Sequence, residues 1–293
     1  EFNTTNSYFK YIIDTLIKET KINAQCKQYK GFILLIFEEE ATKIEDFFGF
    51  LEKKLPVSIF LSKSYVIDAI PDDFEELEDK KVKQNISLLT NDSIKNIIDT
   101  HDIDFLNDIV KITKGEISRF ETHNGLKDLF LPSREIREDF ESRGYEVKLL
   151  ITNINKISEI FDVSPKDLQL LCSIERPLVK LKFKLLQNKN KEYASTNFIY
   201  AKIPDDKETV LFSQALMEKG IDFLLYVNDE VYQDGLKTTY FQDQNLIVSG
   251  DKGLFPKYDY IAKAKFNSSK DFFDDNGGVY VVPAFAGLGA PYW

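Results

Sequence analysis

The sequence predicts a mixed α/β (α+β) chain: a small module at the N-terminal end, then a larger domain with an at least partly parallel sheet. Two observations carry this. Residues 8–61 read as helix, strands, helix, strand. Residues 147–228 alternate strand-like and helix-like runs, as sheets covered by helices do. The length, 293 residues with 43% apolar and 29% charged, provides one large or two modest domains with material for a core.

In the first region, "YFKYIIDTLIKE" spaces Phe9, Ile12, Ile13, Leu16 and Ile17 as one helical face. "GFILLIF" (31–37) is a continuous apolar run after a glycine turn, read as a buried strand. "ATKIEDFFGFLEKKLP" is the clearest helix. Thr42 and Glu45 have capping-box spacing, Ile44, Phe47, Phe48, Leu51 and Leu55 form its stripe, and Pro56 stops it. "VSIFL" (57–61) is expected to be a strand. This order is that of a ferredoxin-like βαββαβ unit whose first strand is missing.

Residues 71–110 read as linker and helices, because "PDDFEELEDKKVKQN" is dense in charge. His101, in "DTHDID", reads as surface-helix content rather than a metal ligand, and His123 as loop polarity.

From residue 111 onward, "VKLLI" is a strand, and Asn153 or Asn155 can cap a short helix carrying Ile157, Ile160 and Phe161. Ser164-Pro165 starts another helix, with Leu168, Leu170, Leu171 and Ile174 as its apolar face. After Pro177, Val179, Leu181, Phe183 and Leu185 alternate with Lys180, Lys182 and Lys184, a period of two. The lysines read as solvent-facing guards of a sheet edge, or as an anion site. "FIYAKIP" is a strand, "DKETVLFSQALMEKG" a helix ending at Gly220, and "IDFLLYVND" the next strand.

The formal net charge of −10 argues against a nucleic-acid partner, which wants clustered cations. Arginine is scarce: Arg119, Arg134, Arg137, Arg143 and Arg176 are the whole set. Cys26 and Cys172 fit neither a zinc knuckle nor a disulfide framework, so no zinc and a reducing, cytoplasmic setting are expected. No run is long and apolar enough for a membrane span, and no membrane partner is expected. With Glu1 first and Met217 the lone methionine, the chain reads as a fragment open at both ends.

The spacing from Gly31 to Pro56 resembles the acylphosphatase module that opens HypF-type hydrogenase-maturation carbamoyltransferases. That chemistry uses an Arg before the first helix and an Asn four residues before the Gly. Here Lys27 takes the latter position and no Arg precedes Arg119, so this module is expected to be inactive. The stretch "LLCSIERPLVKLK", then "FIYAKIPDDKETVLFSQAL", then "LLYVND" resembles the YrdC-like domain of the same proteins, with similarity faint before Lys148. The resemblance implies ATP as cofactor, carbamoyl phosphate as substrate, carbamoyl-AMP as product, and a hydrogenase-maturation protein as partner. It places Arg176, Lys180, Asn228 and Arg143 as the cofactor-binding candidates. The family's Lys-x-Arg…Lys-Pro-Leu segment is absent, and Tyr226 or Val227 stands where a Ser or Thr is expected. A degenerate scaffold that binds a maturation partner is therefore the alternative. Arg176 reads more readily as a cap or a surface ion pair than as a ligand, and Asn228-Asp229 equally as a turn.

After Asp275 there is no Lys, Arg, Asp or Glu, and "NGGVYVVPAFAGLGAPYW" resembles a stretch of glycerol kinases, sugar kinases of the actin-like ATPase superfamily. The Gly-Thr-Thr loop and the Asp-Gln-Gln context of such kinases do not occur upstream. The tail therefore reads as a join at "DDNGG", and a glycerol kinase fragment is the third functional reading. The expected division is 1–70 acylphosphatase-like module, 71–110 linker and helices, 111–275 diverged YrdC-like domain, and 276–293 kinase-like tail.

Overall fold

In a computed structural model of the chain, the first three residues lie in the middle of the N-terminal module rather than at its rim. The structure describes residues 1–3, 6–67, 76–77, 89–101, 103–122, 125–184, 190–228, 237–241 and 245–249. The expected kinase-like tail, His123, Asp229 and most of the charge-dense stretch after Pro71 lie outside them.

Helix α1 (Tyr8–Thr20) buries Phe9, Ile12, Ile13, Leu16 and Ile17 as their spacing predicts, and Tyr8 with them. Strands β1 (Ala24–Tyr29) and β2 (Phe32–Phe37) form an antiparallel hairpin. Its turn uses Gly31 at φ +98°, a left-handed conformation that suits glycine. Helix α2 spans Ala41–Lys54 and buries Phe47 and Leu51, while Phe48 is 45% exposed. The expected Thr42–Glu45 capping box does not form. The cap residue is Glu40, which leaves Thr42 already inside the first turn.

The expected strand at 57–61 is also absent: only Leu61 makes a bridge. Side chains take the backbone donors a ladder would need. Ser58 Oγ accepts from the Phe60 amide at 3.2 Å, and a Glu175 carboxylate oxygen accepts from the Ile59 amide at 3.0 Å. Phe2 bridges Gly31 on one side and Leu61 on the other, both antiparallel. The spatial order is therefore residues 60–62, residues 1–3, β2, β1. This is the ferredoxin-like frame with its central strand represented by residues 1–3. Phe2 is fully buried, stacked on Phe9 with centroids 5.1 Å apart. Full burial of a Phe side chain contributes about 1.5–3 kcal/mol.

The second region begins with α3 (Asn91–Thr100) and α4 (Leu106–Thr113). Then come β3 (Ser118–Thr122), β4 (Gly125–Phe130), α5 (Arg134–Ser142) and β5 (Lys148–Ile151). Asn153 caps a 3-10 turn, followed by α6 (Ile157–Ile160) and β6 (Phe161–Asp162), so Phe161 is a strand residue, not a helical one. Helix α7 (Pro165–Leu171) starts with the Ser164 cap, completed by Asp167 into a capping box. Leu170 and Leu171 are buried, whereas Leu168 is exposed. Then follow β7 (Leu178–Phe183), α8 (Asn190–Tyr193), β8 (Phe198–Lys202), α9 (Lys207–Met217), β9 (Phe223–Asn228), β10 (Lys237–Phe241) and β11 (Asn245–Ser249).

The strands form a mixed sheet in the order β11-β10-β7-β8-β5-β9-β4-β3, with β6 beside β7. The β5–β8 and β7–β10 pairs are parallel and the others antiparallel. Strand β7 is thus an interior strand, and its lysines guard no edge. Val179, Ala201, Leu149, Leu225 and Phe130 stand in one row across five strands and belong to one core. Leu129, Leu150, Leu224 and Tyr226 point to the other face, where Ile109 and Ile112 of α4 and Phe212 and Leu216 of α9 cover them. No helix of the described residues is long and apolar enough to cross a membrane.

Candidate functional site

On the α4/α9 face of the sheet lies a band of polar residues. Side chains alternate along a strand, so residues two apart share a face. Lys127 shares a face with Leu129, Lys148 with Leu150, and Asn228 with Tyr226. Lys180 and Lys202 lie opposite the core row formed by Val179 and Ala201. Register places Lys180 beside Tyr200, Lys148 beside Tyr226, Asn228 beside Lys127, and Lys202 beside Leu150. Four strand spacings of about 4.8 Å make the band roughly 19 Å wide from β7 to β4.

Three of these lysines are buried: Lys127 and Lys202 are each 3% exposed and Lys148 is 7% exposed. A buried ammonium needs oxygen partners to offset its lost hydration. Lys127 Nζ donates to Thr122 Oγ1 at 3.1 Å, and Lys202 Nζ to Asp205 Oδ2 at 2.5 Å. Lys148 Nζ lies 3.6 Å from Glu146 Oε2. Lys180 is exposed, its Nζ 5.0 Å from the centroid of the Phe198 ring. Asn228, at the end of β9, is 8% exposed, yet among the described residues neither its side-chain oxygen nor its nitrogen has a hydrogen-bond partner. An unbonded buried amide costs about 1–3 kcal/mol. Four cations and an amide with one donor face and one acceptor face can hold a polyanion carrying a hydrogen-bonding group.

Of the four expected binding residues, the fold brings Lys180 and Asn228 to this face, while the guanidinium groups of Arg143 and Arg176 have other partners. Arg143 is a surface residue after α5. Its guanidinium donates to Asp139 Oδ2 at 2.7 Å and lies over the Phe140 ring at 4.5 Å. Arg176 is buried between the two regions in a left-handed conformation, φ +46°. Its amide donates to Ser173 O at 3.1 Å and Nη2 to Leu89 O at 3.2 Å, while Nε has no partner. Burial pulls its pKa down, against the opposing pull of Cys172, Asp205 and Glu175. Arg176 thus donates to a backbone carbonyl within the protein. A surface position was expected because a helix-to-strand junction is usually solvated; here the side chain is buried and donates to Leu89 O.

Glu175 shows how. Its Oε1 accepts from the hydroxyls of Tyr8 and of Ser58, the latter at 2.5 Å, and its Oε2 from the Ile59 amide at 3.0 Å. The Ile174 amide donates to Val57 O at 2.8 Å, and the Ile174 side chain is buried in the core of the N-terminal module. Loss of hydration raises the Glu175 pKa, and the hydrogen bonds from Ser58 and Tyr8 oppose the rise.

The residues not anticipated are Lys127 and Lys202. Their signal was a lysine at the wrong place in an apolar run, in "GLKDLF" and "FIYAK". A concavity of about 720 Å³ between α1 and β1 is less suited to an anion. Lys10 Nζ there meets Asp14 at 2.8 Å, and Lys27 Nζ meets Glu76 at 3.1 Å. His101 is the exposed cap residue of α3, its Nδ1 2.8 Å from Thr100 Oγ1. Among the described residues no group of His, Cys, Asp and Glu is placed to hold a metal ion.

No protein-family model matches the chain. Over 212 residues it is 26% identical to the glycerol kinase of Desulforamulus reducens, covering 63% of this chain and 37% of that protein. It is 32% identical over 117 residues to the glycerol kinase of Xylella fastidiosa strain M23, covering 32% of this chain and 23% of that protein. Matches of this length exceed residues 276–293, so the kinase likeness is wider than the tail to which the sequence reading confined it. Among solved structures, HypF from T. kodakarensis superimposes with a TM-score of 0.52 at 13% identity, covering 78% of this chain and 40% of that one. The chain spans well under half the length of each of these proteins. The fold it shows is that of a mixed α/β protein, and within that class it is HypF-like.

Proposed function

We propose that the basic band binds the phosphates of a nucleotide, ATP in the first instance. On this reading the chain is a diverged HypF-type, YrdC-like protein related to carbamoyl transfer from carbamoyl phosphate through carbamoyl-AMP. The observation that carries the proposal is Asn228: buried, unbonded, and flanked by Lys127 on the face that also holds Lys148, Lys180 and Lys202. The ammonium groups neutralise phosphate oxygens, and the amide bonds a phosphate oxygen or a base edge. The HypF-like fold and the kinase-like sequence stretches are both compatible with a nucleotide ligand.

A second reading, a scaffold that binds a maturation partner without catalysis, is favoured by the arginines. Arg143 and Arg176 are engaged elsewhere, so the band lacks their guanidinium forks for phosphate. Isothermal titration with ATP and with carbamoyl phosphate separates the two. Micromolar to submillimolar ATP binding, weakened about tenfold or more in Asn228→Ala, supports the nucleotide site. No heat from either ligand at millimolar concentration leaves the scaffold reading. A coupled glycerol–ATP assay on the same sample tests the kinase fragment.

A further inference from the structure

We infer that Phe198 is the seat of the ligand's base: an exposed ring inside the basic band on which a heteroaromatic base stacks, a purine in the first instance. This rests on the reading of the band as a nucleotide site and deepens it. Helices α4 and α9 cover β9 and β4 on this face, and among the described residues the core they form includes no side chain of β7 or β8. Phe198, at the start of β8, is 41% exposed there, although β8 has a neighbouring strand on each side. A lone apolar side chain on a surface needs no account. A large ring on an interior strand, set among ammonium groups, does.

Register sets Phe198 beside Lys182 of β7, and Tyr200, two residues on and on the same face, beside Lys180. One step back along the parallel β5–β8 pairing brings Lys148 to the other side of Tyr200. The two rings therefore form an aromatic strip with lysines on both flanks. The seat is rigid: Thr196 Oγ1 accepts from the Phe198 amide at 3.3 Å and donates to its carbonyl at 2.8 Å. A ring already fixed in place loses little freedom when a ligand stacks on it. Lys180 Nζ lies 5.0 Å from the centroid of the Phe198 ring, and a cation over an exposed ring is held weakly. A base that takes its place frees the ammonium to meet a phosphate, so one contact is traded for another. From Phe198 to Asn228 is two strand spacings, roughly 10 Å, and Lys127 stands one strand further. The ribose and phosphates run in that direction. Every base has a π-face, so stacking gives affinity without choosing the base, and the larger purine gains most.

The test is calorimetric titration of the full chain with ATP and with inorganic tripolyphosphate, which has no base and carries more negative charge. The expected result is ATP binding about tenfold or more tighter than tripolyphosphate, against the order that charge alone would set. Phe198→Ala should remove that advantage and leave tripolyphosphate affinity within about twofold. Phe198→Tyr and Phe198→Trp should keep ATP binding, which ties the loss in the alanine variant to the ring. Tripolyphosphate binding to the parent as tightly as ATP overturns the inference and leaves the anion band standing. ATP affinity unchanged in Phe198→Ala overturns it as well. A parent chain that takes up neither ligand at millimolar concentration removes the nucleotide reading itself, and this inference with it.

Discussion

Strands β2 and β7 are the same length and sit in opposite places. β2, Phe-Ile-Leu-Leu-Ile-Phe, is apolar throughout and lies at the side of a two-stranded hairpin. β7, Leu-Val-Lys-Leu-Lys-Phe, has a lysine at every other central position and lies inside the large sheet. Alternation reports which faces of a strand are wet. It is silent on whether the strand has neighbours, because edge bonding is a property of the backbone, and every residue but proline has the same backbone groups.

Four experiments sharpen or break this contrast. The largest effect is expected in the core. Leu181→Ala in β7 should cost about 2–5 kcal/mol, because the side chain is fully buried. Leu35→Ala in β2 should cost less than half as much, since that side chain is half-buried. Equal losses in denaturant unfolding would mean that Leu35 is as deeply buried as Leu181.

Next is Arg176. Arg176→Ala should cost about 1–3 kcal/mol through the lost bond to Leu89 O. It should leave ATP binding unchanged, since its guanidinium is already engaged by Leu89 O. Arg176→Gly should recover about 1 kcal/mol of the loss, because the backbone there is left-handed. Titration calorimetry and thermal melts read the two halves separately, and a clear loss of ATP affinity would return Arg176 to the site.

A smaller effect is expected from pH. The Glu175 pKa is raised in the folded chain, so the folded state holds that proton more tightly than the unfolded one. The associated stability is fully present below the ordinary carboxylate range and is lost as pH rises through the raised value. Stability followed from pH 4 toward pH 7 should fall more in the parent than in Glu175→Gln, which does not titrate. Parallel curves would mean that the carboxylate is as well solvated folded as unfolded.

The smallest is Lys180→Gln. Stability should change by less than about 0.5 kcal/mol, as for most surface substitutions. ATP affinity should drop about threefold or more, with a shallower dependence on salt. An unchanged affinity would place the anion site elsewhere.

Much of the fold was legible. The stripe Phe9–Ile17 gave α1, the Ser164-Pro165 pair gave α7, and the alternation at 178–183 gave β7 with its lysines outward. What was not legible depended on distant partners. The amides of Ile59 and Phe60 go to Glu175 and Ser58 rather than to a ladder, and nothing near them in the chain says so. Arg176 looked exposed because the carbonyl it donates to, Leu89 O, lies 87 residues earlier. The candidate residues divide for the same reason: Lys180 and Asn228 sit on strands whose parity could be read, whereas Arg143 and Arg176 sit at junctions whose surroundings could not. Lys127 and Lys202 were readable by parity, but only with the strand order in hand.

Ile174 has a bearing on how the protein can be divided. It fills a place in the N-terminal core although it stands in the second region, and the carboxylate next to it serves three donors of the first. A fragment cut at residue 70 would carry a hole where that side chain had been, with two hydroxyls turned toward it. Such a piece would fold poorly or stick to other proteins for reasons unrelated to its own sequence. The smallest unit worth expressing runs past the beginning of β7, and a split-protein pair cut in the 78–88 stretch should find each other again through this one plug.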